Sequence, residues 1–293
     1  MTNNPLCLLD DRGRPIVELK TRLVLWLEGP PSPRMARDLY DLYMQRFGSH
    51  VRMYCSTAPG SGPRQWTPGT RHSFENQDLP KLRRFTTWGY GLSDGQETDS
   101  WLFMFHGARP HSEKGRASFC RFDFPWDVDP MLVHELALEV IGMIPFRSGS
   151  GGPFFQISAT SLAVSLDRMY AWARRYWGID AQNLDVTMWH ALEGITGVSW
   201  LTLLGGYYLE RFPEAVEEAQ AVAFAWQRKQ HGLLLRVEER PRIIDRNRNE
   251  PLGGYGAVAR ALLPLQVRSH EGFGGEKWTA DETLRYLRRF TGG

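Results

Sequence analysis

The sequence predicts an α+β fold: a mixed, largely antiparallel sheet with packed helices. Short apolar runs typical of strands, and longer runs with helical periodicity, occur throughout the chain. They do not alternate in the regular strand–helix order of a parallel sheet, and two pairs of neighbouring strand candidates have hairpin spacing. The 293 residues, of which 42% are hydrophobic and 23% are charged, suffice to bury a core without a disulfide or a metal.

The first half is predicted to begin with a buried strand and a well-marked helix. The strand is the apolar run RLVLWL at 22–27. Ser32 and Pro33 provide an N-cap and a proline at the first helical position, and Gly48 ends the helix. The elements that follow are a strand at 51–55, a loop at 58–70 and a hairpin of 86–92 with 100–105.

The second half opens in the same way. Phe119, Phe122 and Phe124 mark a strand, and Asp129-Pro130 starts the helix with the clearest apolar stripe in the chain. A glycine-rich loop at 147–153 is expected to lead to a strand at 154–158. The remaining predictions are helices at 162–177, 214–220, 255–263 and 279–291, a strand at 198–204, and a hairpin of 222–226 with 233–237. Alternatively, the alanine-rich residues 219–225 would extend the helix before that hairpin.

The chain is predicted to form one domain, 1–293, with 20–115 and 116–293 as an alternative division. A strand, a short link, a helix with proline at its first position and a second strand occur twice, with helix caps at Ser32 and Asp129. A duplication would give two similar halves. Chance repetition is the favoured explanation, because proteins of mixed strands and helices commonly repeat such units.

Charge and cysteine content exclude several classes of function. The net charge is +2 and is spread evenly along the chain, which is unlike both a general nucleic-acid binder and a wholesale mimic of DNA. The three cysteines, Cys7, Cys55 and Cys120, are far apart and form no CxxC pair, so we expect a reducing compartment. The N-terminus has no signal-peptide pattern, and no apolar run is long enough to cross a membrane; a cytoplasmic protein is therefore predicted.

No catalytic or metal-binding motif is complete. His134-Glu135 resembles the start of HExxH, but Leu138 occupies the position of the second histidine. Asp127 is close to Asp123 and Asp129, yet the intervening Pro-Trp step matches no calcium loop, and Asp129 is already expected to cap a helix. We therefore predict no catalytic residue, no cofactor and no metal. A triad assembled only in space remains compatible with the sequence.

One basic segment stands out, the arginine-rich loop at 240–248 (RPRIIDRNR). Guanidinium groups bind phosphate and carboxylate in a bidentate manner, so a recognition loop is one interpretation. The favoured interpretation is a solvated loop in which Asp245 pairs with neighbouring arginines.

The C-terminal third resembles the type VI secretion immunity proteins, a family of inhibitors of antibacterial toxins. The resemblance lies in several blocks that occur in the same order and spacing as in the family, and it extends more loosely from about residue 20. One departure is Glu238-Glu239, where a small or glycine-containing turn is expected. The blocks are ITGVSWLTLLG at 195–205, GLLLR at 232–236, Pro241, IDRNR at 244–248, YGAVARALLP at 255–264 and LRYLRRF at 284–290.

This resemblance implies a bacterial protein that binds and neutralises a type VI toxin, without catalytic residues of its own. Several members are similar to partners of restriction-endonuclease-like nucleases, so a cytosolic nuclease toxin is the implied partner, with no direct contact to nucleic acid or membrane. Two alternatives are an enzyme that reverses toxin damage and a nucleic-acid-binding module that uses the arginine-rich loop.

An acidic surface is the predicted binding site. A nuclease has a basic cleft, which a nearly neutral inhibitor would have to meet with a local acidic patch. The densest acidic stretch is surrounded by aromatic residues that would supply apolar anchors. Alternatively, its glutamates are only the solvated face of a helix. The predicted binding residues are Tyr207, Tyr208, Glu210, Glu214, Glu217 and Glu218.

Overall fold

A single eleven-stranded sheet organises the described part of the chain. The structure is a computed structural model that describes residues 4–29, 31–57, 62–80, 87–96, 100–108, 115–158 and 162–292. The strands are β1 (Cys7–Leu9), β2 (Pro15–Leu27), β3 (Met53–Ser56), β4 (Arg64–Gln65), β5 (Thr87–Ser93), β6 (Leu102–Ala108), β7 (Phe119–Pro125), β8 (Phe146–Ile157), β9 (Leu201–Gly205), β10 (Ala225–Lys229) and β11 (Gly232–Arg236).

The helices pack around this sheet. They are α1 (Pro33–Phe47), α2 (Pro68–Ser73), α3 (Pro130–Met143), α4 (Leu162–Arg175), α5 (Leu184–Thr187), α6 (Gly206–Arg211), α7 (Pro213–Val222), α8 (Gly254–Ala261) and α9 (Ala280–Leu287). Among the described residues, none of these helices is both long and apolar enough to span a bilayer.

The strand order is β10-β11-β9-β8-β2-β7-β6-β5-β3-β4, with β1 beside β2. Every ladder between these strands is antiparallel. The prediction of an α+β fold with a largely antiparallel sheet is therefore confirmed. The long strand β2 lies between β7 and β8, so the sheet continues from the first half of the chain into the second.

Three predicted helix starts are confirmed by their capping hydrogen bonds. The Ser32 hydroxyl accepts from the Met35 amide at 3.1 Å, before α1. The Asp129 carboxylate accepts from Met131 at 3.1 Å before α3, and the Thr279 hydroxyl accepts from Glu282 at 3.2 Å before α9. Each bond satisfies an amide that has no partner within its helix.

The predicted loop at 147–153 was wrong, because these residues lie inside β8 and pair along β2. The run of glycine and serine reads as a turn in sequence, but here it permits close approach of two backbones. A Cβ atom at Gly149 would lie 2.6 Å from the Val24 carbonyl oxygen. The small residues thus let β8 occupy the middle of the sheet.

Two further expectations are met only in part. The loop predicted at 58–70 contains β4 and the start of α2, while its residues 58–61, and residue 86 of the predicted hairpin, lie outside the described residues. The strand–helix–strand unit does occur twice, but β2 and β3 have three strands between them, whereas β7 and β8 have only β2. The local elements therefore recur in different arrangements.

Two histidines of the second half of the chain form a buried pair. The rings of His190 and His270 lie 4.5 Å apart, and both side chains are buried. Burial, which penalises the charged imidazolium, lowers the pKa of His270 to about 4, and the neighbouring His190 acts in the same direction. Glu193 and the Glu271 backbone favour the charged form, but they do not offset the burial.

This pair predicts that folding stability falls on the acid side of neutrality. In the unfolded chain the His270 imidazole takes up a proton near pH 6.5. In the folded protein the same imidazole does so only near pH 4. Stability is therefore fully present above pH 6.5 and declines as the pH falls towards 4, by at most about 1.4 kcal/mol per pH unit. Urea unfolding from pH 7.5 to 4.5 should show a shallower decline for His270→Gln than for the control His72→Gln, which is exposed. Equal slopes for the two variants would contradict this assignment.

Candidate partner-binding surface

The candidate surface is formed by two consecutive helices that follow a central strand. β9 ends at Gly205, where a Cβ atom would lie 1.8 Å from the Phe146 carbonyl oxygen, and α6 begins directly afterwards. Pro213 then starts α7. Val216 and Ala219 are buried in the main core, so the opposite side of α7 faces solvent.

The structure separates the six predicted residues by exposure. Glu210, Glu214, Glu217 and Glu218 are exposed. Tyr207 is half-buried, and Tyr208 is only 1% exposed, so Tyr208 supports the surface from within the core. The carboxylates thus lie where a partner can reach them, whereas the predicted aromatic anchors are largely covered.

Tyr207 is held by a cationic contact on its own chain. The Arg147 guanidinium lies 3.1 Å from the centre of the Tyr207 ring and forms an ion pair with Glu28 at 3.3 Å. Arg147 also donates to the Leu192 carbonyl at 3.0 Å. Burial raises the pKa of Tyr208 to about 12, so this phenol stays neutral below the surface. These contacts hold Tyr207 and Tyr208 in place at the base of the acidic surface.

The four glutamates form an exposed acidic patch, with Arg211 between them in sequence and with Arg228 and Lys229 lining a pocket beside Glu210. Within the described ranges, none of their carboxylates belongs to a salt bridge. Glu214 and Glu218 are four residues apart, and Glu217 lies beside them, so all three share one exposed side of α7. The negative field of this patch is therefore directed towards solvent, where it can attract a basic partner.

Three exposed apolar side chains adjoin this patch and were not predicted as anchors. Val222 ends α7 and is 41% exposed, while Phe224 and Trp226 are 53% and 49% exposed. The alternation of 222, 224 and 226 predicted a strand at 222–226, which is confirmed only in part. β10 does pair with β11 as a hairpin, but it begins at Ala225, and Val222 belongs to α7, which extends into the alanine-rich residues 219–225 as in the alternative prediction. The alternation could not show that this strand lies at the edge of the sheet, where its side chains stay accessible.

A family of known function matches most of the chain. The model of the TsiV family, described as type VI immunity for VRR-NUC, matches residues 36–290. The chain belongs to this family. The matched range contains all of the blocks between 195 and 290 on which the sequence resemblance rests. The protein therefore has a type VI immunity role, and the family implies a VRR-NUC toxin, a nuclease, as its partner.

The fold has a solved relative. The Pseudomonas aeruginosa T6SS protein PA0821 matches the immunity protein with a TM-score of 0.75 and 17% sequence identity, over 98% of this chain and 88% of that chain. At this identity the likeness shows a common fold. Among curated protein sequences, none matches the immunity protein.

Several side chains of the arginine-rich loop form ion pairs or ring contacts with other residues of the immunity protein. Asp245 pairs with Arg175 of α4 at 2.7 Å and with Arg248 at 3.7 Å. Hydrogen bonds from Arg175 lower the pKa of Asp245, and the Arg246 guanidinium lies 4.4 Å from the centre of the Trp177 ring. These contacts agree with the favoured interpretation, in which Asp245 pairs with arginines.

Glu238, one of the two glutamates at which the sequence departs from the family pattern, also has a structural role. Its carboxylate accepts from the Gly254 amide at 2.7 Å and lies 3.7 Å from the Arg242 guanidinium. Glu238 thereby joins the end of β11 to the start of α8. The acidic residue thus replaces the expected small turn with a hydrogen-bonded link.

A cleft over β3, β5 and β6 contains a cysteine and a histidine, the residue types that an enzyme could use for catalysis. This cleft of about 490 Å³ is lined mainly by apolar atoms and contains Cys55 and His106. Partial desolvation raises the pKa of the Cys55 thiol, although Cys55 as a residue is exposed. Burial lowers the pKa of His106, whose ring stacks on Phe119 at 5.0 Å. A nucleophilic cysteine requires a lowered thiol pKa, so these shifts do not favour catalysis by this pair. Nor do the described residues bring together three or more side chains suited to a metal ion.

Proposed function

We propose that this protein neutralises a VRR-NUC nuclease toxin in the cytosol by forming a stoichiometric complex with it. The family match over 36–290 is the observation that carries the proposal. A nuclease acts on nucleic acid, so its inhibitor has to be present in the same compartment. This reasoning supports a cytoplasmic location and direct binding as the means of protection.

The acidic surface is proposed as the part that meets the nuclease. It consists of Glu210, Glu214, Glu217 and Glu218, with Tyr207 at its base. A nuclease gathers positive charge where it holds the phosphate backbone. These exposed carboxylates form no salt bridge with the residues that the structure describes, and are available to pair with those charges. We infer that occupation of the basic cleft excludes nucleic acid from the nuclease.

The proposal predicts protection through a stable complex. Co-expression with its VRR-NUC toxin should restore growth to cells that make the toxin, and the two purified proteins should elute together in gel filtration at micromolar concentration. An exposed-surface variant elsewhere, Glu276→Lys, serves as the control and should protect equally. Protection without any detectable complex at micromolar concentration would instead favour an enzyme that reverses toxin damage.

A further inference from the structure

In the part of the chain that the structure describes, the outer edge of β10 is open. The strand order begins with β10, and within the described ranges β10 pairs only with β11. Gln227, Arg228 and Lys229 are exposed along it. An open edge offers backbone donors and acceptors to any extended chain that approaches it.

The hairpin register identifies which backbone groups face outward. Only Gln230 and His231 connect β10 to β11, and Lys229 is paired with Gly232. In an antiparallel hairpin with a two-residue connection, the residues that flank the turn form a hydrogen-bonded pair, and hydrogen-bonded pairs alternate along the ladder. Trp226 and Arg228 therefore direct their N–H and C=O groups towards the open edge.

The same edge carries an apolar strip, defined here as Val222, Phe224 and Trp226. The Arg236 guanidinium lies 5.0 Å from the centre of the Phe224 ring, which places this ring against the hairpin. The turn is also fixed to α3, because the His231 amide donates to the Ile141 carbonyl at 3.1 Å. The edge is therefore presented on a rigid hairpin, which limits the entropy lost on binding.

We propose that an extended segment of the nuclease toxin adds to β10 as a further strand, with the apolar strip as its anchor. This inference rests on the proposed function and extends the acidic surface to a second, directly adjoining contact. Glu214, Glu218 and Val222 follow one another at four-residue intervals along α7, so the acidic row leads straight into the apolar strip. One partner with a basic surface and an extended segment can contact both.

The family match favours the toxin over a second copy of this chain as the occupant, because the family implies a VRR-NUC toxin as the partner. In an antiparallel pair of two β10 strands, Arg228 and Lys229 of both copies would lie in one short interface. Their like charges would repel one another, which opposes self-association through this edge.

Two substitutions at one residue test the backbone contact. Arg228→Pro removes an outward amide without removing a bond to β11, and proline is tolerated at such edge positions. Arg228→Ala removes the same side chain and keeps the amide. Against a catalytically inactive form of the VRR-NUC toxin, Arg228→Pro should lose about tenfold or more in affinity through the lost hydrogen bond and the clash of the ring. Arg228→Ala should bind nearly as the unaltered protein does.

Amide hydrogen exchange provides a second readout that needs no variant. The Trp226 and Arg228 amides should exchange freely in the free protein and become protected in the complex. Equal binding by the two variants together with unchanged exchange would overturn the strand addition and leave the proposed function standing. Self-association through β10, abolished by Arg228→Pro while toxin binding persists, would also overturn it. Absence of any complex with the unaltered protein would overturn both the strand addition and the proposed function.

Discussion

Reversal of three charges on α7, Glu214→Lys, Glu217→Lys and Glu218→Lys together, should slow association with the nuclease by about tenfold or more at low salt. The physical reason is loss of the acidic field that directs the basic cleft to this surface. All three side chains are exposed. The free energy of unfolding should fall by less than about 1 kcal/mol. Most of this loss is expected from Glu214, because it lies in the first turn of α7, where a negative charge is favourable.

A matched control separates the local patch from the net charge. Asp11, Glu239 and Glu276 are also exposed, and their replacement by lysine changes the net charge by the same amount. Stopped-flow association should be slowed far more by the α7 variant than by this control, and the difference should shrink as salt is added. If the two triple variants associated equally fast at low salt, α7 would not be the electrostatic contact.

Val140→Asp should have the largest effect on folding and yield insoluble protein. Val140 is 0% exposed within α3 and belongs to the main core, where an aspartate would have no charged partner. On the same helix, Asp129→Ala should remove only the N-cap hydrogen bond and cost about 1 kcal/mol. Solubility after expression and urea unfolding measure the two effects. Soluble, fully protective Val140→Asp protein would contradict this placement of the buried face.

Local features of this chain were predictable because their causes are local. A capping residue needs only the amides of the next turn, so Ser32, Asp129 and Thr279 could be identified without knowledge of the tertiary structure. The stripe of α3 likewise follows from helical periodicity alone. These elements agree between sequence and structure.

The first half of strand β8 could not be predicted from the local sequence. The sequence around Gly149 is typical of a turn, yet in the structure Gly149 lets β8 approach Val24, which lies 125 positions earlier in the chain. Such a contact is set by sheet topology, which the sequence pattern does not contain. The same limit applies to the edge position of β10.

The candidate surface was predictable in its charges and not in its aromatic residues. Glutamates on a short helix after proline are expected to face solvent, and Glu214, Glu217 and Glu218 do so. Tyr208 lies in a six-residue helix, which is too short for periodicity to define a buried face. Its burial depends on packing against the rest of the core, so the exposed apolar side chains near the patch, Phe224 and Trp226, could be identified only in the structure.

Titration of this protein into a fixed amount of active nuclease tests stoichiometric inhibition most directly. Residual cleavage of DNA or RNA should fall in proportion to the added protein, reach its minimum at a fixed molar ratio, and not depend on the time of preincubation. Inhibition by substoichiometric amounts that deepens with preincubation would indicate turnover and contradict neutralisation by binding.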